Sequence, residues 1–227
     1  MNLAVIPARG GSKRIPNKNI KNFHGKPIVA YSIEAACNSG CFDEVMVSTD
    51  SKEIADIAKS FGAKVPFLRS EKNSDDFAST ASVLIEVLDN YAKNNTFFDN
   101  LCCLYPTAPF VTAKKLKSSF DIFNKADVTS LVSICKFSFP VQRGMFLRDG
   151  KLEFCHPEFA LTRSQDLPPV YHDAGQFYWC KVKDFLKEKV LITKNSVGYE
   201  LEESEVQDID NLIDWKLAEI KYSYLNS

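Results

Sequence analysis

Short apolar segments alternate with longer amphipathic ones along the first 134 residues. The apolar segments have the length and composition of buried strands, and they cover residues 3–7, 44–48, 64–68, 101–104 and 128–134. The amphipathic segments carry apolar residues at helical spacing, and they cover residues 27–38, 52–61, 79–93 and 113–123. Strands that alternate with helices in this way are typical of a parallel sheet covered by helices. The pattern therefore predicts an α/β fold with a Rossmann-like, mainly parallel sheet and helices on both faces.

The alternation stops at about residues 136–170, where Phe, Pro and Gly are scattered without a clear period. Two strand-like pieces there predict a β-ribbon that leaves the sheet as a lid or a dimerisation arm. A further strand is predicted at 175–182 and a closing helix at 210–225. We expect that helix to bury the apolar side formed by Leu212, Ile213, Leu217, Ile220, Tyr224 and Leu225. Residues 1–227 are predicted to form a single domain with this one excursion.

The charge of the chain is balanced in sum but not in distribution. Lys and Arg total 28 and Asp and Glu total 29, so the formal net charge is −1. Proteins that bind nucleic acids or membrane surfaces usually carry a basic excess, so neither partner is expected. Residues 1–33 nevertheless contain six basic side chains and no acid, whereas residues 200–215 contain seven acids and no base. This polarity is typical of an enzyme that handles an anion at one end and a cation at the other.

The composition also indicates the cellular compartment. Apolar runs fall far short of the ~18 residues that a membrane span needs, and the first residues lack the pattern of a signal peptide. The seven cysteines include no C-x-x-C pair and are expected to be reduced. The expected location is the cytoplasm.

The strongest local motif is the loop at residues 7–19, which follows the first predicted strand. Ligands of open α/β sheets bind at the carboxyl ends of the strands, where this loop lies. Its glycines allow a close approach of backbone N–H groups to an anion, and its cations and hydroxyl suit a polyphosphate. These residues are Arg9, Gly10, Gly11, Ser12, Lys13 and Lys18. The loop matches neither the P-loop nor the dinucleotide-binding fingerprint, and a solvated basic turn is the alternative interpretation.

Several motifs occur in a recognisable order and spacing. They are A-R-G-G-S-K at 8–13, P-x-K-N at 16–19, G-K-P at 25–27, S-T-D at 48–50 and P-T-x-P at 106–109. With them, nearly the whole chain resembles the cytidylyltransferases that activate sialic-type nonulosonic acids as CMP-sugars. The resemblance implies that CTP and a 3-deoxy-nonulosonic acid react to a CMP-sugar and pyrophosphate, in an enzyme that is typically a homodimer.

Three segments bear on which sugar acid is used. The sequences Y-P-T-A-P-F at 105–110, R-S-Q-D-L-P at 163–168 and Y-H-D-A-G-Q at 171–176 most resemble the branch of the family that acts on pseudaminic acid. Synthetases for N-acetylneuraminic acid tend to have Gln at the position of Tyr105. The resemblance therefore favours pseudaminic acid, with N-acetylneuraminic acid and legionaminic acid as alternatives.

The resemblance also implies roles for individual residues. It assigns the triphosphate to the loop at 7–19, with Arg9 and Lys18 as catalytic cations and Asn19 near the ribose. It assigns the cytosine and ribose to the region of Arg69, Asp76 and Thr80. For that region, a loop in which Asp76 or Ser79 caps the following helix is an equal alternative.

The sugar acid needs its own set of residues. Its carboxylate requires a cation, preferably a bidentate arginine. Arg163 matches the family position, and an arginine on the surface or at a dimer interface is the alternative. The remaining candidates for the sugar pocket are Tyr105, Tyr171, His172, Asp173 and Gln176.

Asp208 and Asp210 form a D-x-D motif in the acidic segment. Two carboxylates at this spacing on an extended chain lie on the same side and suit Mg²⁺, which fills its remaining positions with phosphate and water. The alternative is that Asp210 is the N-cap of the closing helix. The resemblance favours metal binding.

Two other functions remain to be compared with the cytidylyltransferase hypothesis. A D-x-D glycosyltransferase would have the motif after a mid-sheet strand and no basic loop after the first strand, which is the opposite of the placement here. A non-catalytic subunit would bind CTP without turnover.

Overall fold

The computed structural model describes residues 1–75 and 77–227, and a six-stranded sheet lies at its centre. The strands are β1 (Asn2–Pro7), β2 (Asn22–Phe23), β3 (Lys26–Pro27), β4 (Glu44–Ser48), β5 (Asn100–Leu104), β6 (Ser130–Lys136), β7 (Met145–Arg148), β8 (Lys151–Phe154), β9 (Tyr171–Lys181) and β10 (Ser196–Leu201). The helices are α1 (Ile28–Ser39), α2 (Lys52–Ser60), α3 (Thr80–Lys93), α4 (Ala113–Lys125), α5 (Val182–Glu188) and α6 (Leu212–Leu225).

The sheet has the order β10-β6-β9-β5-β1-β4. β1 pairs in parallel with β4 and β5, and β10 pairs in parallel with β6. β9 runs antiparallel to both of its neighbours, β5 and β6. The predicted mainly parallel sheet is therefore confirmed, with one antiparallel strand in its interior.

The central strand β1 shows why helices cover both faces of the sheet. Ala4 and Ile6 pack into one core layer together with residues of α1, α2 and α4. Leu3 and Val5 alternate with them and pack into the opposite layer, with residues of α3 and α5. All four side chains are fully buried, as expected for a strand enclosed on both sides.

The predicted β-ribbon is present as the antiparallel pair β7 and β8. It forms a separate two-stranded sheet and exposes large apolar side chains. Its role as a lid or a dimerisation arm stays a prediction.

Several elements differ from the sequence-based prediction. The strand predicted at 64–68 is a single parallel bridge between Lys64 and Met46. The helix α5 and the edge strand β10 were not predicted. Both elements are short, at seven and six residues, so neither presents a long apolar stripe.

The side of α6 that faces the core was also predicted wrongly. Trp215 and Ala218 are the buried residues of this helix, whereas all six residues of the predicted buried side are at least 40% exposed. Trp215 packs edge-on against Phe23, in a cluster that also contains Tyr31. Both sides of α6 are apolar, so periodicity alone could not distinguish them. None of the described helices has the length and apolar character needed to cross a bilayer.

Candidate active site

Two adjoining cavities lie at the carboxyl end of the central strands. The first cavity has a volume of about 690 Å³, and its lining includes residues that directly follow β1 and β5. Of the residues expected from the sequence, it brings together Arg9, Ser12, Lys13, Lys18, Asn19, Arg69, Thr80, Tyr105 and Asp210. The expected phosphate loop and the expected nucleoside region therefore share one cavity. Asp76 lies outside the described residues.

The loop after β1 is held in place by its own hydrogen bonds. The buried Asn19 side chain donates to the carbonyl of Arg9 over 2.9 Å. The backbone N–H of Gly10 donates to Asp50 over 2.8 Å. A Cβ at Gly10 would lie 3.2 Å from the Cβ of Ser51, which explains the glycine by close packing. The loop is thus organised around Asp50 and Asn19.

Arg69 supplies a fixed cation at the wall of the first cavity. Its side chain is only 8% exposed, and its guanidinium donates to the hydroxyl and the carbonyl of Ser48. Burial lowers the pKa of Arg69, and the nearby Asp50 carboxylate opposes that shift. Because an arginine remains protonated in proteins, a positive charge is held rigidly beside the loop after β1.

The second cavity has a volume of about 520 Å³ and shares Tyr105 with the first. Its lining includes His172, Asp173, Tyr178 and Asp208. Tyr178 is a residue that sequence reasoning did not single out, since a tyrosine within a buried strand is usually a core residue.

A row of hydrogen-bonding side chains runs from the first cavity to the second. The hydroxyl groups of Thr80 and Tyr105 lie 3.4 Å apart, and the rings of Tyr105 and Tyr178 lie 5.4 Å apart. The Tyr178 hydroxyl donates to both oxygens of Asp173, over 2.8 and 2.7 Å. Burial raises the pKa of both tyrosines, so both are neutral hydrogen-bond donors at physiological pH.

The acidic segment contributes one aspartate to each of the two cavities. Asp210 lines the first cavity and Asp208 lines the second. The ammonium group of Lys18 donates to the carbonyl of Ile209, between them, over 2.6 Å. Arg14 forms an ion pair of 2.8 Å with Asp210. The acid-free segment at 1–33 and the base-free segment at 200–215 are therefore in contact. The contact of Arg14 with Asp210 was not predicted from the sequence.

The charges of this segment perturb one another. Burial raises the pKa of Asp208, and the neighbouring Asp210 carboxylate raises it further. Burial also lowers the pKa of Lys18, whereas the two carboxylates oppose that change. The Asp210 charge thus disfavours the ionised form of Asp208, which a bound cation would favour.

The alternative role of Asp210 as a helix cap is wrong. The N-cap of α6 is Asn211, whose side chain accepts from the backbone N–H groups of Ile213 and Asp214. For the helix α3, by contrast, the alternative of a cap by Ser79 is the one observed.

Within residues 1–75 and 77–227, no group of three or more His, Cys, Asp or Glu residues could hold a metal. Two carboxylates are the number that Mg²⁺ commonly takes from a protein.

Three of the predicted sugar-binding residues do not line either cavity. Arg163 lies in the exposed excursion and donates to Asp166 over 2.7 Å. Tyr171 is exposed at the start of β9. Gln176 is 3% exposed and donates to the carbonyl of Glu205 over 2.6 Å. The structure of a single chain thus brings Tyr105, His172 and Asp173 of that set to the second cavity.

Comparisons with known proteins agree with this geometry. A family model described as cytidylyltransferase matches residues 3–218. The chain is 42% identical over 222 residues to a Campylobacter jejuni protein named pseudaminic acid cytidylyltransferase, with 97% of this chain and 96% of that protein covered. It is 37% identical over 224 residues to the CMP-N,N'-diacetyllegionaminic acid synthase of Legionella pneumophila, with 96% of this chain and 94% of that protein covered.

A solved structure shows the same fold. The chain superimposes on a CMP:2-keto-3-deoxy-manno-octonic acid synthetase complexed with CTP, with a TM-score of 0.69 and 17% sequence identity. The superposition covers 99% of this chain and 98% of that one. The resemblance found in the sequence motifs is therefore confirmed along nearly the whole chain: it belongs to the cytidylyltransferase family and is a nucleotidyltransferase.

Proposed function

We propose that this enzyme transfers CMP from CTP to the anomeric hydroxyl of a nonulosonic acid and releases pyrophosphate. The observation that carries the proposal is the pair of cavities joined at Tyr105, with the two aspartates of the D-x-D motif distributed between them. The cationic first cavity suits CTP, and the second cavity suits the sugar acid. The sugar hydroxyl attacks the α-phosphorus at their junction, and pyrophosphate leaves into the loop after β1.

The residues of the first cavity would neutralise charge and orient the nucleotide. Arg9 and Lys18 reach the triphosphate from one wall, and Arg69 supplies a buried cation from another. In phosphoryl transfer, positioning and electrostatic stabilisation account for most of the catalysis. The bond from Lys18 to Ile209 holds the acidic segment against the loop, so both charged elements meet the same phosphates.

Mg²⁺ is the cofactor that this donor set fits. Asp208 and Asp210 would hold the ion, and the phosphates of CTP would complete its coordination with water. The ion would supply charge neutralisation on the phosphates and favour in-line attack. Arg14 occupies one oxygen of Asp210, so a coordinating role of that carboxylate requires either its second oxygen or displacement of the arginine.

Pseudaminic acid is the sugar that we favour. The 42% identical relative from Campylobacter jejuni carries that substrate in its name, and Tyr105 forms part of the cavity wall. An aromatic wall suits a deoxygenated, acylated sugar better than a fully hydroxylated one. N,N'-diacetyllegionaminic acid, named in the Legionella pneumophila relative, has the same class of acylamino substituents.

We also propose a cytoplasmic homodimer. The ribbon exposes Phe146, Leu147 and Leu152, an apolar surface that a second copy would cover. All seven cysteines lie in the described part of the chain and are unbridged, as expected for a reducing compartment.

A pyrophosphate-release assay tests the proposal. The enzyme is incubated with CTP, Mg²⁺ and one sugar acid at a time. The three sugar acids are pseudaminic, N-acetylneuraminic and diacetyllegionaminic acid. We expect release that depends on the sugar acid, with the highest kcat/KM for pseudaminic acid. CTP binding without release with any acid would favour the non-catalytic subunit, and turnover of a preformed nucleotide-sugar would favour the glycosyltransferase.

A further inference from the structure

Asp173 is a carboxylate held in a fixed orientation at the wall of the second cavity. Both of its oxygens accept the hydroxyl of Tyr178, and Oδ1 also accepts the backbone N–H of Gly175 over 2.8 Å. Gly175 has φ of +62°, a conformation that most other residues avoid, so this tight turn depends on the glycine. The carboxylate is thus oriented before any ligand enters.

The partners of Asp173 are neutral dipoles and not cations. In the described part of the chain, no lysine, arginine or histidine forms a salt bridge with it. An ionised carboxylate has about four acceptor sites, so these contacts leave capacity for a ligand's hydrogen-bond donor. The Asp173 side chain is exposed and lines the cavity, whereas Tyr178 is only 3% exposed.

The rest of the wall restricts what can face this carboxylate. Glu203 and Asp208 also line the second cavity, and the Lys221 ammonium in the same wall donates to the backbone carbonyls of Glu203 and Val206. The carboxylates therefore disfavour a negative group of the ligand beside Asp173. A sugar acid must therefore turn its own carboxylate away and present a donor to Asp173. An acylamino substituent offers one N–H at a defined position, and its acyl group extends the contact along the wall.

We propose that Asp173 determines sugar specificity by accepting a hydrogen bond from an acylamino N–H of the sugar acid, with Tyr178 as the residue that positions it. This inference rests on the proposed function and deepens it. The second cavity would then select N-acylated sugar acids, because an ester or an N-methylated amide at the same position has no hydrogen to donate. Tyr178 lines the same cavity, and its role in this inference is to orient Asp173.

The test combines protein variants with substrate analogues. Steady-state kinetics are measured for wild type, Asp173→Ala and Tyr178→Phe, with the acylamino sugar acid and with analogues in which each acylamino nitrogen in turn is replaced by an ester oxygen. For wild type we expect kcat/KM to fall about 10- to 100-fold with one of the two ester analogues, as for a lost hydrogen bond to a charged group. Asp173→Ala should lose a similar factor with the natural substrate and show no further loss with that ester.

Tyr178→Phe keeps the ring and removes the donor. We expect a smaller loss than for Asp173→Ala, and no added loss in the double variant, because both substitutions affect the same contact. The KM for CTP should not change in either single variant. Glu188→Gln, which changes an exposed carboxylate at the end of α5 outside both cavities, is the matched control.

Two results separate the inference from the proposed function. If Asp173→Ala lowers kcat/KM equally for the amide and both esters, or not at all, Asp173 does not read the N–H and the inference is wrong while the proposed function stands. If wild type releases no pyrophosphate with any sugar acid, the proposed function itself fails.

Discussion

Lys18 donates its ammonium hydrogen to the carbonyl oxygen of Ile209 over 2.6 Å, although the two residues lie 191 positions apart in the chain. This bond joins the phosphate loop after β1 to the acidic segment before α6. The side chain that would neutralise the triphosphate therefore also orders the backbone between Asp208 and Asp210. Charge and position at this site therefore depend on each other.

Lys18→Met should abolish most of the activity and leave the fold intact. The variant loses a cation at the phosphates and the anchor of Ile209, so we expect kcat/KM for CTP to fall about 100-fold or more. Pyrophosphate release measures the loss, and circular dichroism checks the fold. Lys59→Met, which removes an exposed charge from α2, should keep wild-type activity. Full activity of Lys18→Met would contradict the assignment of the loop.

Asp208→Ala should raise the Mg²⁺ concentration that half-maximal activity requires, since one of two candidate ligands is lost. Titration of the rate with Mg²⁺ measures the shift, which we expect to be about tenfold or more. Glu202→Gln is the matched control because it removes an exposed acid from the same segment outside both cavities. An unchanged Mg²⁺ dependence of Asp208→Ala would exclude it as a ligand.

The pH dependence of Asp208 gives a third prediction. Burial first, and then the Asp210 charge, raise its pKa in the folded protein above the ordinary value for an aspartate. The folded state therefore binds this proton more tightly than the unfolded state does, and the contribution of Asp208 to stability declines as pH rises from the unfolded pKa through the folded one. Above that window the ionised group is a net cost, so Asp208→Asn should raise Tm at pH 7 and change it less at pH 3.

Carbon-detected NMR titration of the carboxyl groups checks the cause. Asp210→Asn removes the charge that disfavours ionisation of Asp208, so the pKa of Asp208 should move down towards its ordinary value. A pKa that stays in place would assign the whole shift to burial.

An ion pair between Lys115 and Glu205 joins α4 to the acidic segment. They form an ion pair of 2.7 Å with side chains 15% and 25% exposed, and Lys115 also donates to the carbonyl of Phe110 over 2.8 Å. Lys115→Met should lower the free energy of unfolding by about 2 kcal/mol, since a half-buried carboxylate and a carbonyl lose their partner. Urea denaturation of both single variants and of Lys115→Met/Glu205→Gln gives the coupling energy. A coupling near zero would show that the pair contributes nothing to stability.

The ribbon should control the oligomeric state. Leu147 and Leu152 pair across β7 and β8 and are 72% and 68% exposed. Leu147→Glu with Leu152→Glu should convert the proposed homodimer into a monomer, because charges would have to be buried in its interface. Sedimentation velocity measures this, and Lys151→Glu at the end of the same ribbon is a charge-matched control. A dimer that survives the double substitution would place the interface elsewhere.

Local patterns determined most of the architecture. The alternation of apolar and amphipathic segments was enough for the parallel sheet and its two helical layers, because each pattern depends on residues a few positions apart. The same holds for the ribbon at β7 and β8. The loop at 7–19 and the D-x-D motif were recognisable because their chemistry lies in short, contiguous stretches.

Only the tertiary structure decided which residues meet. The contact of Lys18 with Ile209 and the orientation of Asp173 by Tyr178 depend on how strands and loops are arranged in space. The spacing of apolar residues in α6 did not determine which side is buried. Trp215 packs in an aromatic cluster around Phe23, whereas the opposite apolar side is exposed. Arg163 lies outside both cavities, in the excursion, where it pairs with Asp166. The sequence by itself thus determined the elements and the chemical groups, and long-range packing decided their partners.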